Sequence, residues 1–206
     1  MLLRALYTLG WIVATPFAFV RLFWRSRAEP GYRAQLAERL GGLAPSQVTD
    51  KIVWIHAVSV GETRAAQPLV DALLAHDPSL QILLTHMTPT GRRTGAQLFA
   101  AAIAAGRLRQ AWLPYDLPWA VARFLRRAQP QLGLLLETEI WPNLLTGARR
   151  LQVPVVLVNG RLSPRSLART QRFGAAATAV YRDFAAVLAQ TDDDAGAWGG
   201  ALRFPV

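Results

Sequence analysis

Lys51-Ile52-Val53-Trp54-Ile55-His56-Ala57-Val58-Ser59-Val60-Gly61-Glu62-Thr63 is the stretch that decides the fold. Ile52 to Ala57 form a short, nearly continuous apolar run, and a helical segment at about 62–76 follows it. A strand apolar on both faces belongs to a parallel sheet covered on both sides. Outward from there the alternation repeats. Strands are expected at Ile52–Ala57, Gln81–Thr85, Gln110–Leu113, Leu132–Leu136, Val153–Val158 and Ala185–Ala189, with helices at about 62–76, 90–105, 117–128, 141–151 and 164–182. This predicts an α/β domain with a Rossmann-like parallel sheet and helices on both faces. Loops at the carboxyl ends of such strands line the ligand crevice. Two acidic loops stand there: Ser59-Val60-Gly61-Glu62 and Glu137-Thr138-Glu139-Ile140-Trp141-Pro142-Asn143.

Several chemistries lose support from the first loop. A dinucleotide site needs Gly-x-Gly-x-x-Gly in this turn so that the backbone can approach a pyrophosphate. Here there is one Gly, with an acid where phosphate charge would lie. A phosphate-binding Walker loop and a Gly-x-Ser-x-Gly nucleophile elbow are also absent from the sequence. Acid–base work by carboxylates remains.

Composition bounds the rest. At 206 residues the chain fills one ordinary domain and a short appendage. It has no Cys, and His56, His76 and His86 never fall at an i, i+4 spacing, so no metal is expected. The formal charge of +10 suits anionic partners, and no nucleic acid is expected among them. Of the 23 basic residues only Lys51 is a lysine, and Arg offers a planar fork for phosphate or carboxylate. A codon bias toward Arg explains the same excess.

Residues 1–24 form a separate piece. Ala5 to Val20 carry no charge and are bracketed by Arg4 and Arg21, with Trp11, Phe17, Phe19, Phe23 and Trp24 as interfacial aromatics. The uncharged run of about 16 residues is short of the roughly 20 that cross a bilayer, although Arg snorkelling extends its reach. An uncleaved anchor helix is expected, spanning or lying in the interface; the alternative is a helix packed on the protein itself. Arg21, Arg25, Arg27, Arg33 and Arg39 follow it, which by the positive-inside rule puts the globular part on the cytoplasmic face. Residues 25–50 read as a basic juxtamembrane helix, Tyr32 to Leu40, stopped by Gly41-Gly42, and a linker. Residues 51–191 form the α/β domain and 192–206 a linker.

Each candidate site residue has two readings. Glu62 is a general base for a hydroxyl acceptor, with Gly61 clearing space for that acceptor; equally, Ser59-x-x-Glu62 is a capping box. A helix amino terminus lowers a carboxylate pKa, which weakens the base unless burial raises it again. Glu137 and Glu139 face the same crevice, or sit in the first turn of a helix with Pro142 near its start. Thr88, Thr90 and Gly91 offer hydroxyls and amides to an anion, or an ordinary cap. Asn143 binds substrate or ties the loop, and Trp141 reads as packing. Asn159 and Arg161 suit a phosphate or sugar carboxylate, with Ser163 as a helix cap. His56, inside an apolar strand, reads as a core residue.

Trp54-Ile55-His56-Ala57-Val58-Ser59-Val60-Gly61-Glu62-Thr63, Met87-Thr88-Pro89-Thr90-Gly91, Leu113-Pro114-Tyr115-Asp116-Leu117-Pro118, Glu137-Thr138-Glu139-Ile140-Trp141-Pro142-Asn143-Leu144 and Asn159-Gly160-Arg161-Leu162-Ser163 resemble, in order, the motifs of 3-deoxy-D-manno-octulosonic acid (Kdo) transferases. The likeness runs to about residue 191 and covers the amino-terminal, acceptor half of a GT-B glycosyltransferase. It implies transfer of Kdo from CMP-Kdo to lipid A precursor (lipid IVA) in lipopolysaccharide core biosynthesis. Transfer would be inverting, with no cofactor, at the inner membrane and in contact with its anionic lipids. It implies Glu62 as proton acceptor and Glu137 as transition-state stabiliser. Ser59, Gly61, Thr88, Thr90, Gly91, Glu139, Asn143, Asn159 and Arg161 are then substrate contacts. Arg203 stands where the family has a Lys that stabilises the departing phosphate. His86 departs from a frequent Thr. The family's second, donor-binding domain is not in these 206 residues, so a truncated acceptor half with impaired activity is expected. A lipid-binding module without catalysis and a GT-B enzyme using a UDP-sugar are the alternatives.

Overall fold

The computed structural model describes residues 2–44, 51–137, 140–161 and 179–201. Helix α1 (Leu2–Arg25) leads into two 3-10 turns, Pro30–Arg33 and Leu36–Leu40. The alternating part follows: β1 (Ile52–His56), α2 (Val60–Ala65), α3 (Gln67–His76), β2 (Gln81–His86), α4 (Pro89–Leu98), α5 (Ala100–Ala104) and β3 (Leu108–Trp112). It continues through α6 (Pro118–Ala128), β4 (Leu132–Leu136), α7 (Pro142–Arg150), β5 (Val155–Gly160), β6 (Ala186–Ala189) and α8 (Asp192–Gly196).

All strands pair in parallel, in the order β3-β2-β1-β4-β5-β6. This is the doubly wound order, which reverses direction between β1 and β4. The expected α/β class therefore holds. Alternate residues of each strand serve opposite faces. Ile52 and Trp54 join Phe124, Leu145, Leu157 and Val187 on one side; Val53 and Ile55 join Val70, Phe99 and Leu134 on the other. Trp54 is in register with Gly133 on β4, and a Cβ there would lie 2.8 Å from the indole. The glycine makes room for one of the largest fully buried side chains.

Several boundaries differ from expectation for local reasons. The helix at 62–76 begins at Val60 and divides at Ala66, because Pro68, in the first turn of α3, supplies no amide to continue α2. The helix at 90–105 divides at Phe99 (φ −108°, ψ 23°). Strand β3 starts at Leu108, two residues before the expected strand. The expected helix Tyr32–Leu40 is two 3-10 turns, interrupted where Gln35 adopts φ 51°. Gly41 ends the second turn at φ 74°, and a side chain there would strike the backbone carbonyl of Ala120. The expected helix at 164–182 lies largely outside the described residues; 179–181 are helical.

Helix α1 continues through Pro16 and is 24 residues long, about 36 Å at 1.5 Å per residue. It is long and apolar enough to cross a membrane, so the uncharged run understated its length. One face packs on the domain: Leu22 is buried with Tyr32, Tyr115, Leu117 and Ala120, and Trp11 and Phe19 lie against them. The opposite face exposes Leu6, Leu9, Val13, Phe17 and Val20. The helix is thus both packed on the protein and apolar outward. Arg39, counted from sequence with the basic residues after the anchor, is 1% exposed, its guanidinium 4.3 Å from the Trp112 ring centre.

Candidate functional site

The carboxyl ends of β1 and β4 adjoin at the point where the strand order reverses, and the two acidic loops leave the sheet there. Ser59 is the N-cap residue of α2, but its side chain caps no amide. Its hydroxyl instead donates to Glu62 Oε1 at 3.0 Å, and the Val58 amide donates to Glu62 Oε2 at 2.7 Å. Only the reach-back half of the expected capping box forms: Glu62 bonds the Val58 amide, and the Ser59 amide also acts on it. Glu62 is 8% exposed. Burial raises its pKa, the Val58 and Ser59 hydrogen bonds oppose that rise, and the Glu137 charge adds to it. The net direction is upward, so burial outweighs these hydrogen bonds and base strength is kept. Gly61 is exposed, and a Cβ there would meet only Ser59 Oγ, at 3.9 Å. Packing within the protein does not demand glycine at this position.

Glu137 follows β4 directly, in the left-handed region at φ 62°, with its amide donating to the Val158 carbonyl at 2.9 Å. Asn159, beside it at the end of β5, has φ 57°. Asn tolerates this conformation; for Glu it costs roughly 1–2 kcal/mol. The strained residue is one of the two expected catalytic carboxylates, and its charge reaches Glu62. Arg161 is exposed just beyond Gly160. Glu139, Ser163 and Arg203 lie outside the described residues.

Thr88 caps α4: its hydroxyl accepts from the Gly91 amide at 3.1 Å and donates to the Val58 carbonyl at 3.0 Å. The ordinary cap is therefore formed, and it ties the start of α4 to the Glu62 loop. Gly91 is needed for that contact, since a Cβ would come within 3.2 Å of Val58 O and the Ser59 carbonyl carbon. Thr90 is exposed, its hydroxyl 3.4 Å from Thr88 Oγ1.

Asn143 is 6% exposed, and its side chain is committed to the protein. Nδ2 donates to the Asp116 carbonyl at 2.6 Å and to Thr8 Oγ1 at 3.1 Å, while Oδ1 accepts from Thr8 at 3.2 Å. This is the loop-tying reading. Trp141 packs among Trp11 (6.1 Å between centroids) and His56 (6.5 Å), as expected of a packing residue.

The two strand-end histidines are buried and neutral. His56 Nδ1 donates to the Thr85 carbonyl at 3.1 Å, with Thr85 Oγ1 at 2.9 Å; burial holds its pKa down at about 3. His86 Nδ1 donates to the Ala57 carbonyl at 2.9 Å, which leaves Nε2 to accept from Gln110 Nε2 at 2.9 Å. Burial lowers its pKa to about 4. His86 is a strut joining the ends of β1, β2 and β3, a role that gives the departure at this position a structural reason.

Sequence reasoning quoted Asp116 inside Leu113-Pro114-Tyr115-Asp116-Leu117-Pro118 without giving it a role. It is 1% exposed and accepts the Asn143 amide at 2.9 Å and the Leu144 amide at 2.8 Å. An acid between two prolines, in a loop at the crevice, was the available signal.

The chain is similar in sequence to known proteins. Residues 34–200 match the family model for 3-deoxy-D-manno-octulosonic-acid transferase (kdotransferase). A 3-deoxy-D-manno-octulosonic acid transferase of Bordetella pertussis is 47% identical over 93% of this chain and 45% of the relative. Those of Haemophilus influenzae and Rickettsia bellii are 34% and 28% identical, over 98% and 94% of this chain and 46% and 44% of their own lengths. The chain spans about half the length of these relatives. With most of its length matched by one family model and its two carboxylate loops meeting at the switch point, this chain belongs to the 3-deoxy-D-manno-octulosonic acid transferase family.

Proposed function

We propose that this chain is the acceptor half of a Kdo transferase, in which Glu62 takes the proton from the attacking hydroxyl of a lipid A precursor. The observation that carries the reading is Glu62 itself: a buried carboxylate whose pKa is raised despite hydrogen bonds from Val58 and Ser59, at the reversal point of the sheet. A base works best when its pKa approaches the working pH. The exposed Gly61 beside it, which protein packing does not require, leaves room for an acceptor to come close.

In the proposed step the acceptor oxygen bonds to the anomeric carbon of Kdo as the bond from that carbon to the phosphate of CMP breaks. The electron pair leaves with CMP, the hydroxyl proton passes to Glu62, and the anomeric centre inverts. Positive charge develops on the sugar as this happens, and Glu137 supplies the opposing charge. No metal or cofactor is required beyond the donor CMP-Kdo, which the remaining half of the longer relatives would bind. Thr90 and Arg161, both exposed at the crevice end of the sheet, are suited to the acceptor's phosphates. Glu139 and Arg203 keep their expected parts in substrate binding and phosphate stabilisation.

The exposed apolar face of α1 supports docking on the inner membrane from the cytoplasmic side, where the acceptor lies. Anionic lipids there attract each nearby Arg by roughly 1 kcal/mol. The reading is tested by joining this chain to the carboxyl-terminal half of the B. pertussis relative and assaying Kdo transfer to lipid A precursor. Glu62→Gln should abolish transfer while lipid binding persists; equal transfer by the variant would remove Glu62 from the role.

A further inference from the structure

Helix α7 begins with no cap of its own. Its N-cap residue is Trp141, which offers no side-chain acceptor, and Pro142 occupies the first helical position. The next two amides, of Asn143 and Leu144, are buried donors that need partners. Both are satisfied by one carboxylate from another loop, Asp116, through Oδ2 at 2.9 Å and Oδ1 at 2.8 Å. Asp116 also receives the Asn143 side chain on its carbonyl. A single residue thus fixes where α7 starts. Between that start and the end of β4 run only residues 137–141, the segment that carries Glu137.

The same joint is held from the other side by α1. Thr8 hydrogen-bonds both side-chain polar atoms of Asn143, Tyr7 faces the Asp116 carboxylate, and Trp11 lies against Trp141 and stacks on Tyr115 at 5.5 Å. Arg4 reaches one turn further along α7, to Thr146 at 3.1 Å. Helix α1 therefore meets the domain through polar contacts aimed at the start of α7, besides the apolar cluster around Leu22. A bare anchor has no use for them.

We propose that Asp116 is a positioning residue: by capping α7 from outside it holds Glu137 within electrostatic reach of Glu62, and α1 is the second support of that joint. The proposal goes beyond the sugar-transfer reading and requires no donor.

The test uses the 206-residue chain in detergent micelles. Hydrogen exchange is followed by mass spectrometry, and the Glu62 carboxyl is titrated by carbon-13 NMR. In Asp116→Asn, one of the two amides loses its acceptor. Exchange across 137–146 should rise at least about tenfold, the factor that follows from losing one buried hydrogen bond, while β1 and β2 stay protected. A uniform rise over the whole sheet would make Asp116 a general fold strut and overturn the proposal. Thr8→Val leaves the cap intact and cuts, of the α1 contacts, only the hydrogen bonds to Asn143. It should raise exchange over the same segment, whereas Leu9→Ser on the exposed face should not; an unchanged segment in Thr8→Val would overturn the α1 arm. The titration reads what a structural role would leave alone. Glu137 is the charged neighbour that raises the Glu62 pKa, so its displacement in Asp116→Asn should move the Glu62 midpoint down. An unmoved midpoint would refute the positioning role even if the loop loosens.

Discussion

Acid should destabilise this domain through its histidines, and His56 offers the sharpest test. The imidazole is fully buried, and its pKa is held at about 3 against 6.5 for the free side chain. The neutral form is the one the fold accepts, so the stabilisation is complete above pH 6.5 and is lost as pH falls toward 3. At pH 4 the loss from His56 is about 3 kcal/mol, at roughly 1.4 kcal/mol per unit. His86, held at about 4, loses a similar amount, about 3 kcal/mol. Asp116 acts with the opposite sign. Burial raises its pKa to about 6, so its ionisation weighs against the fold above that pH, and about 3 kcal/mol returns on acidification to pH 4. Glu62 is shifted in the same direction as Asp116. The histidines win by about 3 kcal/mol near pH 4 before the return from Glu62 is counted, against the 5–15 kcal/mol typical of a domain. Urea unfolding in detergent at pH 7 and pH 4 measures it. His56→Asn, whose amide nitrogen replaces Nδ1 toward the Thr85 carbonyl, should be less stable at pH 7 yet lose about 3 kcal/mol less on acidification. An identical pH dependence in the variant and the parent would show that His56 does not carry the acid sensitivity.

Other perturbations are equally specific. Gly133→Ala forces a methyl to within 2.8 Å of Trp54 Cε3 at the centre of the sheet; urea midpoints should show a loss of about 1–3 kcal/mol. Phe17→Asp, at a position 71% exposed on α1, should weaken partition into phosphatidylglycerol vesicles at least about tenfold, with the unfolding midpoint unchanged. Arg161→Ala should weaken binding of lipid A precursor in a vesicle assay, and the difference should shrink as salt is raised.

The sheet was legible because its strands are unbroken apolar runs, and their number and positions follow from that pattern. Their spatial order is a tertiary property, and nothing in the spacing revealed that β1 and β4 are neighbours. Boundaries failed where a local rule went unread. Pro68 divides a helix whose apolar periodicity runs straight through it, and Gln35 at positive φ turns an apparent basic helix into two tight turns. Glu62 and Glu137 were visible as acids on strand-end loops. What decides their chemistry was not: the rise in the Glu62 pKa comes from burial, and Glu137 stands at φ 62°, a conformation that its residue type does not announce. Asp116 was missed because a cap delivered from another loop leaves none of the i, i+3 spacing by which caps are recognised.

The most direct measurement is Kdo transfer from CMP-Kdo to lipid A precursor by this chain joined to the carboxyl-terminal half of the B. pertussis relative, with and without Glu62→Gln. Transfer by the parent and a fall of at least about a hundredfold in the variant, the lower range for a general base, is the predicted result. Transfer that survives Glu62→Gln at the parental rate would contradict the assignment of this half as the one that activates the acceptor.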